Sequence, residues 1–366
     1  MSEKDAIKAV SIALLGRRDE PTDGIEDYCT WLQQALSERG YKMSVVRMPW
    51  AEIGWLRALH WLWKESAQWR GKWVLIQYTV LQWSVRGFPL GLVLVIWMLR
   101  QRGVLLGVVF HDIPYYYGRR LRDRIRLVVQ HGVMRYVVRV AERSIVVVEP
   151  QRLGWLGQWA TSPKIVFIPV GSNIPDRYAG RNESNGARRV VVFGVSGGTL
   201  RQKEVAVISK IVRQAAAVVG PLRLIVLGRG SMEAEPLLRS ALDGTEVSLE
   251  VLGLVPVFQV SEVLASADVQ LFIRGSVDTH RTTAVAGIVH GLALVGYATE
   301  WTGFPITDAG VRLVSLDDSN GLADALITVL RDDILRAELR KRSREATRRY
   351  FSWDAIADQF LRALYT

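Results

Sequence analysis

Asp278, His280, Arg281, Thr282 and Thr283 crowd into one polar turn, and each is a residue type that can hydrogen-bond or ion-pair with an anionic or hydroxyl-rich ligand. An apolar strand, Val269 to Ile273, leads into the turn. A small-residue helix follows, then Gly291 and a second apolar run, Leu292 to Tyr297. A helix start presents unpaired N–H groups and the positive end of the helix dipole. The turn is therefore suited to an anion, with Arg281 and the two threonine hydroxyls to grip a phosphate. The same residues also fit an ordinary N-cap ahead of a core helix.

Four other loops follow strands, where α/β folds bind ligands. In Gly16 to Gly24, Gly24 opens a helix at Ile25, so a phosphate could approach the backbone there; a glycine serving only a turn fits equally. His111-Asp112 closes a buried strand, and such a pair can act as base and orienter or as a hydrogen-bonding clamp. The third loop, Gly194 to Lys203, has glycines for close backbone approach and Arg201 or Lys203 to neutralise a diphosphate. It lacks both the dinucleotide G-x-G-x-x-G spacing and the P-loop G-K-[ST], which argues against a dehydrogenase and an NTPase. The fourth is Gly228-Arg229-Gly230. No two of the five histidines pair on a helix face as metal ligands, so no metal is expected.

The elements that must position these loops alternate between strand and helix. Strands are predicted at 9–15, 42–47, 73–78, 104–110, 143–148, 164–168, 189–193 and 223–227, with helices at 25–39, 90–102, 121–141 and 203–219. Residues 174–188 have linker composition, after which the alternation restarts. A last helix, 354–364, follows the aromatic turn Tyr350-Phe351-Ser352-Trp353 and could cross back onto the first domain. The expected architecture is two successive α/β halves, each a parallel sheet with helices on both faces.

The chain's 366 residues suit two domains, and 49% hydrophobic with 23% charged residues is a globular composition. One cysteine, Cys29, allows no internal disulfide and fits a reducing compartment. No secretory signal is read at the start. The longest apolar run, Phe88 to Leu99, is twelve residues and too short to span a bilayer. The net charge of +11 is lopsided: residues 1–172 hold 24 Lys and Arg against 14 Asp and Glu, whereas residues 173–366 hold 23 against 22. Eight of the 13 tryptophans lie between Trp50 and Trp97. Basic residues interleaved with Trp suit an anionic membrane surface, with several rings left to fill the core. Nucleic acid is not expected, because no nucleic-acid motif accompanies the charge.

In their order along the chain these pieces resemble a retaining glycosyltransferase of the GT-B fold, the family 4 group. They are Asp23-Gly24-Ile25, Phe110-His111-Asp112, Ile168 to Ile174, Phe193-Gly194, Lys203, Leu227 to Gly230, Leu252-Gly253, Ala265 to Val269, the 273–296 segment and Phe351-Ser352-Trp353. The resemblance implies two Rossmann-like domains facing each other across a cleft. One is an acceptor-binding domain over 1–174 plus a returning helix within 350–366; the other is a nucleotide-sugar domain over 188–349.

It further implies a donor site of Gly24, Gly194, Arg201, Lys203, Arg229, Leu252, Gly253, His280, Arg281, Thr282 and Thr283, with His111, Asp112 and Asp278 at the reacting sugar. The expected reaction moves a hexose-type sugar from a nucleoside diphosphate to a membrane-linked or polysaccharide acceptor. It proceeds with retention and without a metal or other cofactor, in the cytoplasm at the inner face of the membrane. The chain departs from the family at the second of two glutamates eight positions apart, where Asp278 and Ala286 stand here. That departure keeps two other readings open: a non-catalytic GT-B partner of a true transferase, and a GT-B nucleotide-sugar epimerase.

Overall fold

The computed structural model describes residues 10–20, 23–111, 120–175 and 187–365. They form two compact units, one of Met1–Pro169 with Trp353–Thr366 and one of Val170–Ser352.

The first unit runs β1 (Val10–Leu15), α1 (Gly24–Ser37), β2 (Lys42–Arg47), α2 (Trp50–Ile53), α3 (Trp55–Glu65), β3 (Trp73–Tyr78), α4 (Val80–Trp83), α5 (Gly91–Gln101), β4 (Leu105–Phe110), α6 (Leu121–Val140), β5 (Arg143–Val146) and β6 (Ile165–Phe167). Its sheet has the order β2-β1-β3-β4-β5-β6, with all pairs parallel. All six residues of β3 are buried, as a central parallel strand covered on both faces requires.

The second unit runs β7 (Arg188–Phe193), α7 (Gly198–Val219), β8 (Leu222–Leu227), α8 (Ser231–Leu242), β9 (Val247–Gly253), α9 (Val257–Ser266), β10 (Val269–Ser276), α10 (Thr282–Val289), β11 (Ala293–Ala298), β12 (Val311–Ser315), α11 (Ser319–Arg331) and α12 (Asp333–Ala346). Its sheet is also wholly parallel, in the order β12-β11-β10-β7-β8-β9.

The last helix, α13 (Trp353–Tyr365), belongs to the first unit. Ile356, Ala357, Phe360 and Leu364 join a core with Tyr28, Leu32 and Leu36 of α1. Arg39 adds ion pairs to Asp354 at 2.9 Å and Asp358 at 2.6 Å, and Arg143 Nε donates to the Ala363 carbonyl at 2.8 Å.

Two elements that carry residues of the candidate loops differ from the sequence reading. The helix expected at Lys203 begins at Gly198, so Arg201 and Lys203 lie in its first turns. Gly197 is extended and Gly198 is left-handed (φ 60°), a turn into the helix that composition alone reads as loop. The strand expected to stop at Ile273 continues to Ser276, with Gly275 at φ 78° and a register shift against β11 between Phe272 and Ser276. Arg274 is therefore a strand residue at the carboxyl edge of this sheet.

Gly287 lets α10 lie on β10. A Cβ there would stand 1.6 Å from the Gln270 Oε1, and the Gln270 amide nitrogen donates to the Thr283 carbonyl at 2.8 Å. Gly287→Ala is expected to destabilise the second unit by about 1–3 kcal/mol through overpacking. That cost outweighs the gain of up to ~1 kcal/mol in helix propensity. Urea denaturation of the full chain checks this, and a variant as stable as the parent would refute it.

Candidate functional site

At the end of β10 the chain buries a carboxylate. Asp278 is 1% exposed, and its oxygens are filled locally. Ser276 Oγ donates to Oδ2 at 3.0 Å and the His280 N–H donates to Oδ1 at 3.1 Å, with the His280 ring nitrogen Nδ1 against the same oxygen. The Arg281 N–H donates to the Asp278 carbonyl at 3.2 Å. The turn is thereby fixed, and Arg281 is delivered to the N-cap position of α10.

Beside it lies a pocket of about 380 Å³ in the second unit. Lys203, Glu204, Arg274, Arg281, Tyr297 and Asp317 contribute to its lining, with Ser196 and Gly275. The Nε atoms of Arg274 and Arg281 are buried without a hydrogen-bond partner. Gly194, at φ 85°, makes room for Arg274: a Cβ there would stand 2.8 Å from its Nη1. Burial lowers the Arg274 pKa from its ordinary value; Glu204 opposes this, and the nearby positive charges of Arg281 and Arg229 add to it. Cations thus outnumber carboxylates around a cavity large enough for a diphosphate.

Of the expected donor residues, the pocket wall includes Lys203 and Arg281, while Gly194 backs Arg274 and Arg229 acts on it through charge. Arg201, Asp278, His280, Thr282, Thr283, Leu252 and Gly253 lie outside the wall. Arg201 sits in the first turn of α7 with a buried, unbonded Nε. Thr282 and Thr283 open α10, and Gly253 ends β9, its carbonyl accepting the Gly228 N–H at 2.7 Å. Leu252 packs in an apolar cluster with Val191, Leu227 and Leu264.

The sequence reading missed Arg274, Glu204, Tyr297 and Asp317. Arg274 and Tyr297 were adjacent to or within the segment it singled out. Asp317 has φ 67°, the one positive value for a non-glycine residue among the described residues, and nothing in the sequence marks it.

In the first unit, Asp23 caps α1, its Oδ1 accepting the Ile25 and Glu26 N–H groups at 3.1 and 3.2 Å. Arg47 holds Asp23 at 2.8 Å and Glu26 at 3.2 Å, and reaches the Gly16 carbonyl at 2.8 Å. Gly24 is exposed at this helix start, but the neighbouring amides are already occupied by a carboxylate.

His111 is buried at the end of β4, its N–H donating to the Tyr78 carbonyl at 3.0 Å. Its Nε2 lies 2.8 Å from Gln77 Oε1, and Gln77 Nε2 donates to the Leu75 carbonyl at 3.2 Å. That orientation of the amide makes His111 Nε2 the donor and leaves Nδ1 as an acceptor. Burial pushes the His111 pKa down to about 3, against a smaller upward pull from Asp23. The ring is a neutral acceptor rather than a cationic anchor. Tyr28 packs edge-on to it at 4.9 Å and to Trp353 of α13 at 5.2 Å, so the returning helix supports this corner. Asp112 lies outside the described residues.

No family model matches the chain. Its relatives include the phosphatidyl-myo-inositol mannosyltransferase of Mycobacterium leprae, 31% identical over 146 residues, which are 40% of this chain and 38% of that protein. The protein of the same name from Mycolicibacterium smegmatis is 30% identical over 169 residues, 45% and 42% of the two chains. The chain thus spans about two fifths of the length of the curated relatives it matches.

Similar solved structures include sucrose-phosphate synthase of Thermosynechococcus elongatus, with a TM-score of 0.66 and 18% identity over 97% of this chain and 98% of that one. The Anabaena HepE protein, in complex with UDP and glucose, gives 0.65 and 12% over 97% and 99%. WaaG, a glycosyltransferase of lipopolysaccharide biosynthesis, gives 0.63 and 13% over 97% and 100%. With its two parallel six-stranded sheets, the chain has the GT-B fold.

The neutral His111 carries a pH signature. The unfolded chain protonates this ring as pH falls through 6.5, whereas the folded protein resists until about 3. The stability contribution is therefore present above pH 6.5 and is lost progressively toward 3. His111→Gln should unfold with up to about one proton fewer taken up between about pH 6 and about pH 4. Urea midpoints across that range read the slope, and identical slopes for parent and variant would contradict a buried neutral ring.

Proposed function

We propose that this protein is a glycosyltransferase that moves a hexose-type sugar from a nucleoside diphosphate to a lipid-linked or saccharide acceptor, with retention at the anomeric carbon. The observation that carries the donor half is the pocket whose Lys203, Arg274 and Arg281 charges exceed those of Glu204 and Asp317. Guanidinium groups whose Nε atoms are buried without a partner favour a dianionic ligand, and the same groups stabilise a diphosphate as a leaving group. Asp278, held rigid by its turn, keeps Arg281 in place. The first unit binds the acceptor, with neutral His111 as a hydrogen-bond acceptor for a hydroxyl. The mannosyltransferase relatives and the UDP-bound HepE structure support this assignment.

The lipid-linked alternative for the acceptor draws on a surface of the first unit. Leu90, which caps α5, and Leu94 and Trp97 along it are exposed, the last two at 51% and 55%. On the adjacent α6, Leu121, Ile125 and Val128 are exposed at the same i, i+4, i+7 spacing. Arg100, Arg120, Arg122 and Arg124 flank these stripes and are exposed too. Two apolar ridges edged by arginine fit the headgroup region of an anionic bilayer, at the inner face of the membrane. No helix among the described residues is long and apolar enough to cross a membrane.

A thermal-shift screen against nucleotide sugars tests the donor assignment. A matching donor raises the melting temperature by mass action. Arg281→Ala should weaken nucleoside diphosphate binding by about tenfold to a hundredfold, the loss of one charge-assisted contact. A folded variant with unchanged affinity removes Arg281 from the site, and no response to any donor refutes the reading.

Flotation with liposomes tests the surface. The parent should float with anionic vesicles and far less with neutral ones, and the exposed double substitution L94E/W97E should abolish flotation while leaving the fold intact. Equal flotation of parent and variant would refute this face.

A further inference from the structure

Two pocket residues stand in a charge relationship that goes beyond holding a donor. Arg274 lies at the carboxyl edge of the second sheet, its Nε buried without a partner and its guanidinium seated over the Cβ-less Gly194. Arg229 and Arg281 press like charge on it, and Glu204 is the carboxylate that offsets them. The Glu204 carboxylate also occupies an amide: it accepts the Ser196 N–H at 2.7 Å, in the glycine-rich loop that opens onto the pocket. Both the positive charge and that N–H are what a phosphate oxygen seeks.

We propose that Arg274 is a phosphate ligand of this pocket and that Glu204 is its resident counter-anion, which a bound diphosphate displaces from the Ser196 amide. The inference rests on the donor reading only in naming a diphosphate as the ligand. Without an anion, three guanidinium groups repel one another in a partly desolvated space, and Glu204 relieves that repulsion. When a diphosphate enters, the two anions compete for the same cations and the same N–H. Glu204 therefore sets an upper limit on affinity and favours release of the nucleoside diphosphate left after transfer.

The sign of this effect separates it from a structural role. A residue that merely braces the pocket weakens binding when replaced; a competing carboxylate strengthens it.

Calorimetric titration of the full chain with inorganic pyrophosphate tests the proposal on the parent, E204Q, R274Q, R274K and the E204Q/R274Q double variant, each checked for folding by circular dichroism. Glu204→Gln keeps an oxygen for the Ser196 N–H but removes the charge, so E204Q should bind pyrophosphate about threefold more tightly or better. R274Q should bind about tenfold more weakly, with partial recovery in R274K. The gain from E204Q should shrink when Arg274 is absent, because the two are coupled. A folded E204Q that binds no more tightly than the parent, or a folded R274Q of unchanged affinity, overturns the proposal.

The same variants distinguish it from the donor reading. Pyrophosphate binding that follows the expected pattern while no nucleotide sugar binds upholds the proposal and refutes the donor. Nucleotide sugars that bind while pyrophosphate ignores both substitutions refute the proposal alone.

Discussion

A carboxylate taken out of water costs several kcal/mol unless its oxygens are filled. Asp278 is filled by its own neighbours: the Ser276 hydroxyl and the His280 N–H donate to it, and the His280 ring lies against it. Because these donors lie within two residues, the constraint acts on the backbone. It forces the chain to turn between β10 and α10 in one way, places the Arg281 N–H on the Asp278 carbonyl and starts α10 at Thr282. The pocket's charge depends on that turn. Arg281 is aimed by it from one side, and Gly275, at φ 78°, supplies the left-handed bend at the end of the strand beside the Arg281 guanidinium. Arg274, one residue before that glycine, is aimed by the strand itself. A loop without the buried anchor would not hold Arg281 against the repulsion of Arg274.

The first unit solves a different problem. Four of its clustered tryptophans, Trp50, Trp69, Trp73 and Trp83, are buried, and Trp83 donates its indole N–H to the Gln77 carbonyl at 2.8 Å. Trp55 stacks on Trp50 and lies where a side chain on Gly91 would collide with it, so it positions α5. Trp63 and Trp97 remain exposed. The split explains how one segment can build a core and still present an apolar face. α5 is apolar all round: Leu92, Val95, Ile96 and Leu99 face the core while Leu90, Leu94 and Trp97 face outward. On the proposed membrane reading, this outward apolar face and the neighbouring arginines would meet the edge of a charged bilayer.

Most strands were legible because buried parallel strands are continuous apolar runs, and β3 and β8 fall within a residue of their expected limits. The chemistry was legible where several polar residues crowd one turn, as at 278–283. It failed where a residue acts through distant partners. Arg274 ends an apolar run and so reads as the first loop residue, although the strand continues through it. Glu204 is one acidic residue on a helix, indistinguishable in sequence from a solvated one. The Arg47 link to Asp23 joins residues 24 positions apart and exists only because β2 lies beside β1. The glycines at 197 and 198 looked like loop because their turn into α7 has no side chains to advertise it.

Ala286 is where the resemblance and the structure must be weighed together. Aligned with a family glutamate, it reads from sequence as a missing ligand. In the structure its methyl group is 1% exposed and packs with Val191, Leu264 and Leu292. Its carbonyl accepts the His290 N–H at 3.1 Å and lies 2.7 Å from the His290 ring nitrogen Nδ1. A glutamate placed there would bury an unpaired carboxylate among apolar side chains, at a cost that would unsettle α10 itself. The alanine is therefore a packing residue of this chain rather than a vacancy in its site. On the proposed donor reading, hydrogen bonding to a ligand's hydroxyls is left to groups that line the pocket, among them Tyr297 of β11 and the left-handed Asp317 in the loop after β12.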